Sequence, residues 1–432
     1  MLHTNLDINE KGHLTLAGRD TVELAEKYGT PLYLIDEKRV REKMRTYVDA
    51  MKKYFGRGSV PLLASKALCF KKIYQIANEE GMCTDIVSPG ELYTASCAGF
   101  PMEKAYFHGN NKTDEDIALA IKLKIGCFIA DNREELDSIS RISKEEGVVS
   151  RVILRVTPGI DPHTHAAIST GKVDSKFGTA IETGQAIELV KYILTLPNIN
   201  LTGIHCHVGS LCFDSKPFID AADIMVAFMA KIREETGVTL TDLNLGGGYG
   251  VRYIETNPHI DIADNIRQVA EHVSAVCEKE NFPYPRVLLE PGRSIVADAG
   301  VTLYSVGSVK TITGYKSYIS IDGGMTDNPR YALYGSDYTV LNASDANAEP
   351  DMIATIAGRC CESGDLIQEN VKIKRPERGD KIAVLVTGAY NYSMASNYNR
   401  IPRPPVVMIS PDGDDYIAVR RETYEDLINL DT

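Results

Sequence analysis

The sequence predicts an α/β fold: a (β/α)8 barrel of the TIM type with a C-terminal antiparallel β domain. Three observations lead to this prediction. Eight short apolar runs alternate with longer amphipathic stretches between about residues 60 and 292. Polar, potentially reactive residues end most of those runs. After residue 292 the pattern changes to short runs, several of which alternate apolar and polar residues.

The eight apolar runs are rich in Val, Ile and Leu, and most do not alternate with polar residues, as is typical of parallel strands buried on both faces. They cover residues 60–66, 83–87, 105–109, 125–131, 151–158, 201–209, 242–248 and 286–292. Between them, helix caps and helical apolar periods predict helices over residues 113–123, 132–147, 215–237 and 260–280. A doubly wound open sheet is the alternative. The barrel is favoured because all its strand ends converge on one face, where the polar residues would meet.

The C-terminal third predicts strands bounded by Gly, Pro, Asp and Asn. These strands are expected within residues 301–312, 315–322, 352–358, 371–376, 381–388, 404–411 and 415–421. The segment HLTLAG (13–18) resembles an edge strand, so residues 1–30 are expected to join this domain. The predicted domains are therefore a barrel over 31–292 and a β domain over 1–30 plus 293–432.

The composition argues against two classes of partner. The 432 residues carry a net charge of −12, spread along the chain without a basic patch. Nucleic acid and anionic membranes are therefore not expected partners. The first residues show no signal-peptide pattern, and no apolar stretch approaches the roughly 20 residues that span a bilayer. The nine cysteines include no C-x-x-C pair, which predicts a cytoplasmic protein.

Charged residues end the first and last apolar runs. Lys66 follows PLLAS, and a lysine inside a barrel is costly unless it is paired or functional. Its amine is a candidate nucleophile, and the alternative is a side chain that extends to the rim. Glu290 and Arg293, in LLEPGRS, would place a carboxylate and a guanidinium at the barrel mouth. The alternative for this pair is a structural ion pair.

Two motifs suggest a phosphate site and a metal site. Gly246–Gly248 follow the seventh run, where barrel enzymes often bind phosphate, although tight turns use glycines as well. His205 and His207 are two apart, as are His163 and His165, which suggests zinc. The sequence offers no convincing third ligand, so no metal site is predicted. The alternatives are hydrogen-bonded histidines or an imidazole that stacks on a flat cofactor.

Three further groups lie in the β domain. Cys361 and Glu362 belong to GRCCESGD, where the thiol could deliver a proton, although a plain loop cysteine is the alternative. Arg330 and Tyr334 lie four apart in RYALYG, and arginine suits carboxylate recognition. The segment GAYNYSMASNYN (388–399) is dense in polar and aromatic groups.

Each signal is weak alone, but their order and spacing together resemble a known family. The chain resembles the fold-type III, alanine-racemase-like decarboxylases that use pyridoxal 5'-phosphate. The motifs that carry the resemblance are ASKA, EL after SPG, FHGNNK, HCHVGS, LGGG, EPGR, RYALYG, CESGD and GAY. The resemblance runs from about residue 30 to 425. Within the family, the chain looks like the members that act on diaminopimelate. The segments that carry this likeness are THAAISTGKVDSKFG (164–178), CESGD and GAYNYSMASNYN. The relatives that act on ornithine or arginine typically carry Asp in place of Glu362.

The resemblance implies roles for individual residues. Lys66 would hold the cofactor covalently, His207 would stack on its ring, and Glu290 would pair with the ring nitrogen. Cys361 would act in catalysis and, with Glu362, would enter the partner subunit's site, which implies a homodimer with shared active sites. Residues implied around the phosphate are Ser210, Gly247, Gly248, Gly292, Arg293 and Tyr390. Residues implied around the substrate are Arg293, Arg330, Tyr334, Glu362 and Tyr390.

The function implied is decarboxylation of meso-2,6-diaminopimelate to L-lysine and carbon dioxide, the last step of lysine biosynthesis by that pathway. The alternatives are decarboxylation of ornithine, lysine, arginine or carboxynorspermidine, a non-catalytic relative that binds protein partners, and a zinc hydrolase. The sequence departs from the family pattern at Thr157, where asparagine is commoner, and at Cys360, which doubles the cysteine. Neither departure removes a group that the chemistry needs.

Overall fold

The computed structural model describes residues 1–159 and 176–432. The chain divides into two compact units. We call them the β unit, which contains residues 1–43, 251–258 and 293–432, and the barrel unit, which contains residues 44–250 and 259–292. No helix in the described ranges is both long enough and apolar enough to cross a membrane.

The β unit begins with a small antiparallel sheet and a capped helix. Its elements are β1 (Leu6–Ile8), β2 (Leu14–Leu16), β3 (Arg19–Asp20), α1 (Thr21–Tyr28) and β4 (Leu32–Asp36), and α2 (Glu37–Tyr54) follows. β2 lies between β1 and β3, so HLTLAG does contain a strand. Asp20 caps α1 by accepting hydrogen bonds from the backbone N–H groups of Val22 and Glu23.

Parallel strands form the barrel unit, and all eight predicted runs contain one. The strands are β5 (Val60–Ala64), β6 (Cys83–Ile86), β7 (Ala105–Phe107), β8 (Cys127–Ala130), β9 (Ser150–Thr157), β10 (Thr179–Ala180), β11 (Ile199–His205), β12 (Asp242–Asn244) and β13 (Arg286–Leu289). The pairing order is β9–β11–β12–β13–β5–β6–β7–β8, and β8 pairs again with β9, which closes the barrel. The two-residue strand β10 adds to β9. The predicted fold class is therefore confirmed.

Helices follow the strands of the barrel unit. They are α3 (Lys71–Glu79), α4 (Pro89–Cys97), α5 (Asp114–Lys122), α6 (Arg133–Glu145), α7 (Gln185–Ile193), α8 (Lys216–Thr236) and α9 (Ile262–Lys279). All four predicted helices are confirmed. Thr113 and Asp116 form a capping box at α5, and Asn132 caps α6. α8 ends at Gly237, whose left-handed conformation suits a helix C-terminus.

A second sheet forms most of the β unit. Its remaining elements are α10 (Arg293–Val296), β14 (Gly300–Ile312), β15 (Lys316–Ile321), α11 (Arg330–Tyr334), β16 (Val340–Asn342), β17 (Met352–Ala357), β18 (Leu366–Ile373), β19 (Lys381–Leu385), β20 (Val406–Ile409), β21 (Asp415–Val419) and α12 (Tyr424–Ile428). The order is β18–β17–β15–β14–β4–β20–β21, and β19 pairs with β14 and β16. The sheet is mostly antiparallel as predicted, but β15–β17 and β4–β20 are parallel. Both parallel pairs join strands separated by long connections, which allow a crossover.

Two segments differ from the sequence-based division of the chain. Residues 31–43 and 251–258 were expected in the barrel but group with the β unit. β4 pairs with β14 and β20, so its apolar run belongs to the second sheet. Residues 251–258 leave the barrel unit between β12 and α9, and the carbonyl oxygen of Tyr253 accepts a hydrogen bond from Thr339 Oγ1 at 2.9 Å.

Gly203 tests how closely β11 and β12 pack. A Cβ at Gly203 would lie closer than 3.0 Å to the backbone of Asp242 on β12. We expect Gly203→Ala to destabilise the protein by roughly 2–4 kcal/mol, because two barrel strands would have to separate. Thermal unfolding measures this change. Gly90→Ala is the matched control, since its Cβ would meet nothing closer than 3.8 Å. Equal melting temperatures for the two variants would contradict this packing.

Candidate active site

The Glu290 carboxylate follows β13 and lies inside the barrel unit, with 7% of the residue exposed. Three side chains from other strand ends surround it. His108 Nε2 lies 2.8 Å from Oε1, and His205 Nε2 lies 3.1 Å from Oε2. Asn244 Nδ2 donates to Oε1 at 2.7 Å. Because parallel strands carry their carboxyl ends to one face of a barrel, residues distant in sequence meet here.

The charges of this cluster are divided unequally. Burial opposes ionisation of Glu290, but His108 and His205 hold the pKa of Glu290 well below its ordinary value. Burial raises the pKa of Asp85, whose Oδ1 lies 3.8 Å from His108 Nε2. Burial also lowers the pKa of His205 to about 4. At neutral pH Glu290 is therefore ionised, and His205 is neutral.

Lys66 occupies a short 3-10 turn directly after β5, and its side chain is exposed. Burial raises the pKa values of Asp85 and Glu91, and the Lys66 ammonium opposes that rise. Burial and the same ammonium lower the pKa of His207. Lys66 is therefore in electrostatic contact with the side chains that follow β6 and β11. An exposed amine at the carboxyl ends of the strands can reach a ligand there.

The turn Gly246–Gly248 follows β12 and packs against neighbouring strand ends. A Cβ on any of its three residues would come closer than 3.0 Å to a backbone carbonyl oxygen. The N–H group of Gly247 donates to His207 Nδ1 at 3.2 Å. Ser210, which is half-buried, lies in the loop after β11, and Gly292 lies in the turn after β13. The N–H groups of Gly246 and Gly247 are engaged by Asn244 Oδ1 and His207 Nδ1, which leaves the Gly248 backbone as the part of this turn that a phosphate could contact.

The β unit contains two buried arginines among tyrosine rings. Arg293 is 6% exposed and Arg330 is 5% exposed. Arg293 Nη1 donates to the Tyr253 hydroxyl at 2.8 Å. The Tyr390 ring centroid lies 4.6 Å from the Arg293 guanidinium carbon and 5.5 Å from that of Arg330. The Tyr334 ring lies 5.4 Å from Arg330. Tyr390 therefore contacts both cations by cation–π attraction.

Neither arginine is paired with a carboxylate in the described ranges 1–159 and 176–432. Arg293 bonds to a tyrosine hydroxyl, and Arg330 bonds to Ser336 Oγ at 3.3 Å. Arg330 Nε is buried and has no hydrogen-bond partner. A buried cation without a counter-ion is unfavourable unless a ligand supplies the negative charge. The β unit therefore has the properties of an anion-binding site.

Cys361 and Glu362 lie in the loop between β17 and β18, and both are exposed. The buried Asp365 anchors this loop by accepting the N–H group of Cys360 at 2.7 Å. The N–H group of Cys361 donates to Asn399 Oδ1 at 2.8 Å. Burial and the nearby Asp365 carboxylate raise the pKa of Cys360 to about 11. Of the two adjacent thiols, Cys361 is therefore the accessible one.

Comparisons with known proteins agree with this geometry. The pyridoxal-binding domain of the pyridoxal-dependent decarboxylases matches residues 37–297. A diaminopimelate decarboxylase of Bacillus subtilis is 43% identical over 430 residues, which cover 100% of this chain and 98% of the relative. This chain belongs to the diaminopimelate decarboxylase family.

Solved structures of the diaminopimelate decarboxylase family share the fold. The enzyme of M. jannaschii in complex with L-lysine has a TM-score of 0.91 at 35% identity, over 100% of this chain and 99% of that one. The enzyme of Helicobacter pylori, also in complex with L-lysine, has a TM-score of 0.86 at 30% identity, over 95% of this chain and 99% of that one.

The residues of each unit fit pyridoxal phosphate. The barrel unit offers an amine at Lys66, an ionised carboxylate at Glu290 for a ring nitrogen, and the Gly248 backbone of the glycine turn for a phosphate. The β unit offers Arg293 and Arg330, of which Arg330 has a buried Nε without a partner. This donor set matches an aromatic cation and two anionic groups.

His205 and His207 have different neighbours, although two residues this far apart on one strand would point the same way. β11 ends at His205, whose ring turns to His108 and Glu290, whereas His207 contacts the glycine turn. The side-chain atoms of His108, His205 and Glu290 lie within 4.8 Å of one another, a spacing that would suit a metal ion. Each of the two histidines, however, already faces a Glu290 oxygen. His163, His165 and residues 164–175 lie outside the described residues.

Sequence reasoning missed several side chains of the site. His108 was present in FHGNNK but received no role, and Asn244 is hidden in the apolar run DLNL. Arg155 alternates into the barrel interior within β9, and Tyr253 belongs to the segment that leaves the barrel unit. A polar residue at the end of an apolar run was a usable signal for His108. Tyr253 gave no comparable signal.

The unpaired Arg330 allows a test of anion binding. In buffer without phosphate or sulfate, we expect Arg330→Met to melt at the wild-type temperature or above, because it removes a buried charge that lacks a counter-ion. Inorganic phosphate should raise the melting temperature of the cofactor-free wild type and should raise that of the variant less. Arg420→Met, at an exposed ion pair with Asp426, is the control. Equal phosphate responses for Arg330→Met and wild type would argue against the anion site.

Proposed function

We propose that this chain decarboxylates meso-2,6-diaminopimelate to L-lysine and carbon dioxide with pyridoxal 5'-phosphate, and so completes lysine biosynthesis. The observation that carries the proposal is that the exposed Lys66 amine and the buried, ionised Glu290 carboxylate both lie at the carboxyl ends of the barrel strands. The full-length similarity to diaminopimelate decarboxylases supports the choice of substrate.

The barrel unit would hold the cofactor. Lys66 would bind it covalently, Glu290 would pair with its ring nitrogen, and His207 would stack on its ring. The phosphate group would lie against the glycine turn, with Ser210, Gly292, Arg293 and Tyr390 as further contacts. When bound, pyridoxal phosphate supplies a protonated aromatic ring that accepts the electrons left behind when the carboxyl group departs.

The residues of the β unit would recognise the substrate. Diaminopimelate has an ammonium and a carboxylate at each end, so the end that does not react needs one anionic and one cationic partner. Arg330 can bind the distal carboxylate. The Tyr390 ring contacts both Arg330 and Arg293, and the Tyr334 ring contacts Arg330. Glu362 can bind the distal ammonium. A substrate without a distal carboxylate would leave the buried Arg330 unpaired, which favours diaminopimelate over ornithine.

Cys361 and Lys66 are the candidate proton donors. After carbon dioxide leaves, the substrate carbon must take up one proton. We assign that proton to Cys361 Sγ, because its thiol is exposed on an anchored loop and Cys360 is half-buried. Lys66, once its amine is released, would hold a second proton close to the same carbon.

The assembly and location complete the proposal. Cys361 and Glu362 are exposed in the single chain, which suits residues that enter the site of a partner subunit. We therefore propose a homodimer with two shared active sites. None of the nine cysteines, all within the described ranges, forms a disulfide. Unpaired cysteines in this number are typical of a reducing compartment, so we propose the cytoplasm.

The cofactor and substrate can be tested together. We expect the purified protein to show the long-wavelength absorbance of a bound pyridoxal cofactor. Borohydride reduction should attach the cofactor permanently to Lys66, and peptide mass spectrometry should identify Lys66 as the modified residue. Carbon dioxide release should be faster with meso-diaminopimelate than with ornithine, lysine, arginine or carboxynorspermidine. Lys66→Ala should lose at least about a hundredfold in kcat. A colourless protein that contains zinc instead would overturn the proposal.

Mixing two inactive variants tests the shared site. We expect Cys361→Ala to lower kcat about 10²- to 10⁴-fold with little change in cofactor affinity, and Cys360→Ala to retain activity. Refolding Cys361→Ala together with Lys66→Ala should restore about a quarter of wild-type activity, because half of the dimers then contain one intact site. If no activity returns in the mixture while both variants form dimers, the two residues do not act across subunits.

A further inference from the structure

The Glu290 carboxylate contacts three polar side chains and keeps an acceptor position open on Oε2. Oε1 lies 2.8 Å from His108 Nε2 and accepts a hydrogen bond from Asn244 Nδ2 at 2.7 Å, whereas Oε2 accepts from His205 Nε2 at 3.1 Å. A carboxylate offers about four lone-pair positions, two on each oxygen. Asn244 and His205 occupy two of these positions by hydrogen bonds, and His108 Nε2 lies against Oε1 in ion-pair contact but outside hydrogen-bond geometry, so Oε2 keeps an open position.

The direction of these hydrogen bonds follows from the surroundings. Asn244 Oδ1 accepts the N–H group of Gly246 at 2.9 Å, so its Nδ2 must face Glu290. His205 Nδ1 is buried without a hydrogen-bond partner, so its single proton belongs on Nε2, where it meets Oε2. The His108 ring packs edge-on against that of His205, with centroids 4.9 Å apart. The two rings therefore approach Glu290 from fixed directions.

The other charged groups around Glu290 leave the negative charge in place. Asp85 and Arg155 face it from β6 and β9, and His207 faces it from beyond β11. Burial raises the pKa of Asp85, whereas His108 and His205 hold the pKa of Glu290 low, so Glu290 is the more readily ionised of the two carboxylates. Arg155 adds a positive charge close to Glu290.

We propose that His108, His205 and Asn244 are positioning residues that keep Glu290 ionised and direct its open Oε2 position to the ring nitrogen of the cofactor. This inference rests on the proposed function. Asn244 has a second task, because its Oδ1 holds the glycine turn through Gly246 while its Nδ2 holds Glu290. One amide thus fixes the spacing between the phosphate contact and the ring-nitrogen contact.

The ring nitrogen of the cofactor is the most direct readout. The protein is loaded with pyridoxal phosphate that carries ¹⁵N in the ring, and the nitrogen resonance reports whether the ring is protonated. The wild type should show the protonated form at neutral pH. Asn244→Asp replaces a donor with a second carboxylate, and His108→Leu removes the imidazole that lies against Oε1 without adding charge. Both variants should shift the resonance towards the unprotonated form.

Cofactor affinity and a conservative variant separate positioning from general damage. Loss of one hydrogen bond to a charged group should weaken cofactor binding roughly 10- to 100-fold in Asn244→Asp and His108→Leu. His108→Gln places an amide N–H group close to the Nε2 position and should restore most of both signals. Asn265→Asp is the control, because this buried asparagine donates to the carbonyl oxygen of Asp261, the N-cap of α9. Circular dichroism checks that each variant is folded.

The possible outcomes distinguish this inference from the proposed function. A wild type that takes up no cofactor would overturn both. A wild type that binds cofactor and decarboxylates, with unchanged nitrogen resonance and affinity in folded Asn244→Asp and His108→Leu, would overturn this inference alone. If Asn244→Asp does not fold, His108→Leu and its rescue by His108→Gln still decide the result.

Discussion

An ionised carboxylate inside a closed barrel is the constraint on which the candidate site depends. Burying such a charge is unfavourable by several kcal/mol unless hydrogen-bond donors replace the lost water. Glu290 gains its donors from residues at or just beyond the ends of β7, β11 and β12. Only a closed sheet of parallel strands brings these ends together. The pairing of β8 with β9 is therefore a requirement of the chemistry as well as of the fold.

The two units treat their buried charges in opposite ways. Glu290 is satisfied by protein donors before any ligand binds, so its charge is fixed and ready for a cationic ring. Arg293 and Arg330 contact tyrosines instead of carboxylates, so an anionic ligand could supply the counter-charge for their guanidinium groups. The barrel unit is thus suited to tune the electronic properties of the cofactor, whereas the β unit is suited to bind anions. A ligand that supplies those anions offsets the instability of the unpaired guanidiniums, which links binding to folding stability.

Local sequence patterns predict the strands well and their partners poorly. All eight barrel strands follow from runs of Val, Ile and Leu, and Lys66 and Glu290 follow from the charges that end two of those runs. LYLID in β4 is as apolar as any barrel strand, yet it pairs with β14 and β20, because pairing depends on residues hundreds of positions away. Asn244 looked like an interruption of an apolar run until the fold placed it beside Glu290. The site residues that sequence analysis missed acquire their roles only through such convergence.

The anchored loop explains how one methylene group could select a substrate. Asp365 and Asn399 fix the backbone of the CESGD loop at residues 360 and 361, so the loop cannot easily move to compensate for a shorter side chain. Replacing Glu362 by Asp would therefore shorten its reach by about one C–C bond, or about 1.5 Å. That difference is half a hydrogen-bond length, enough to break a direct contact with an ammonium group. In the proposed function, selectivity therefore arises in the β unit, from Arg330 for the distal carboxylate and from the reach of Glu362 for the distal ammonium, whereas the barrel chemistry is common to every substrate.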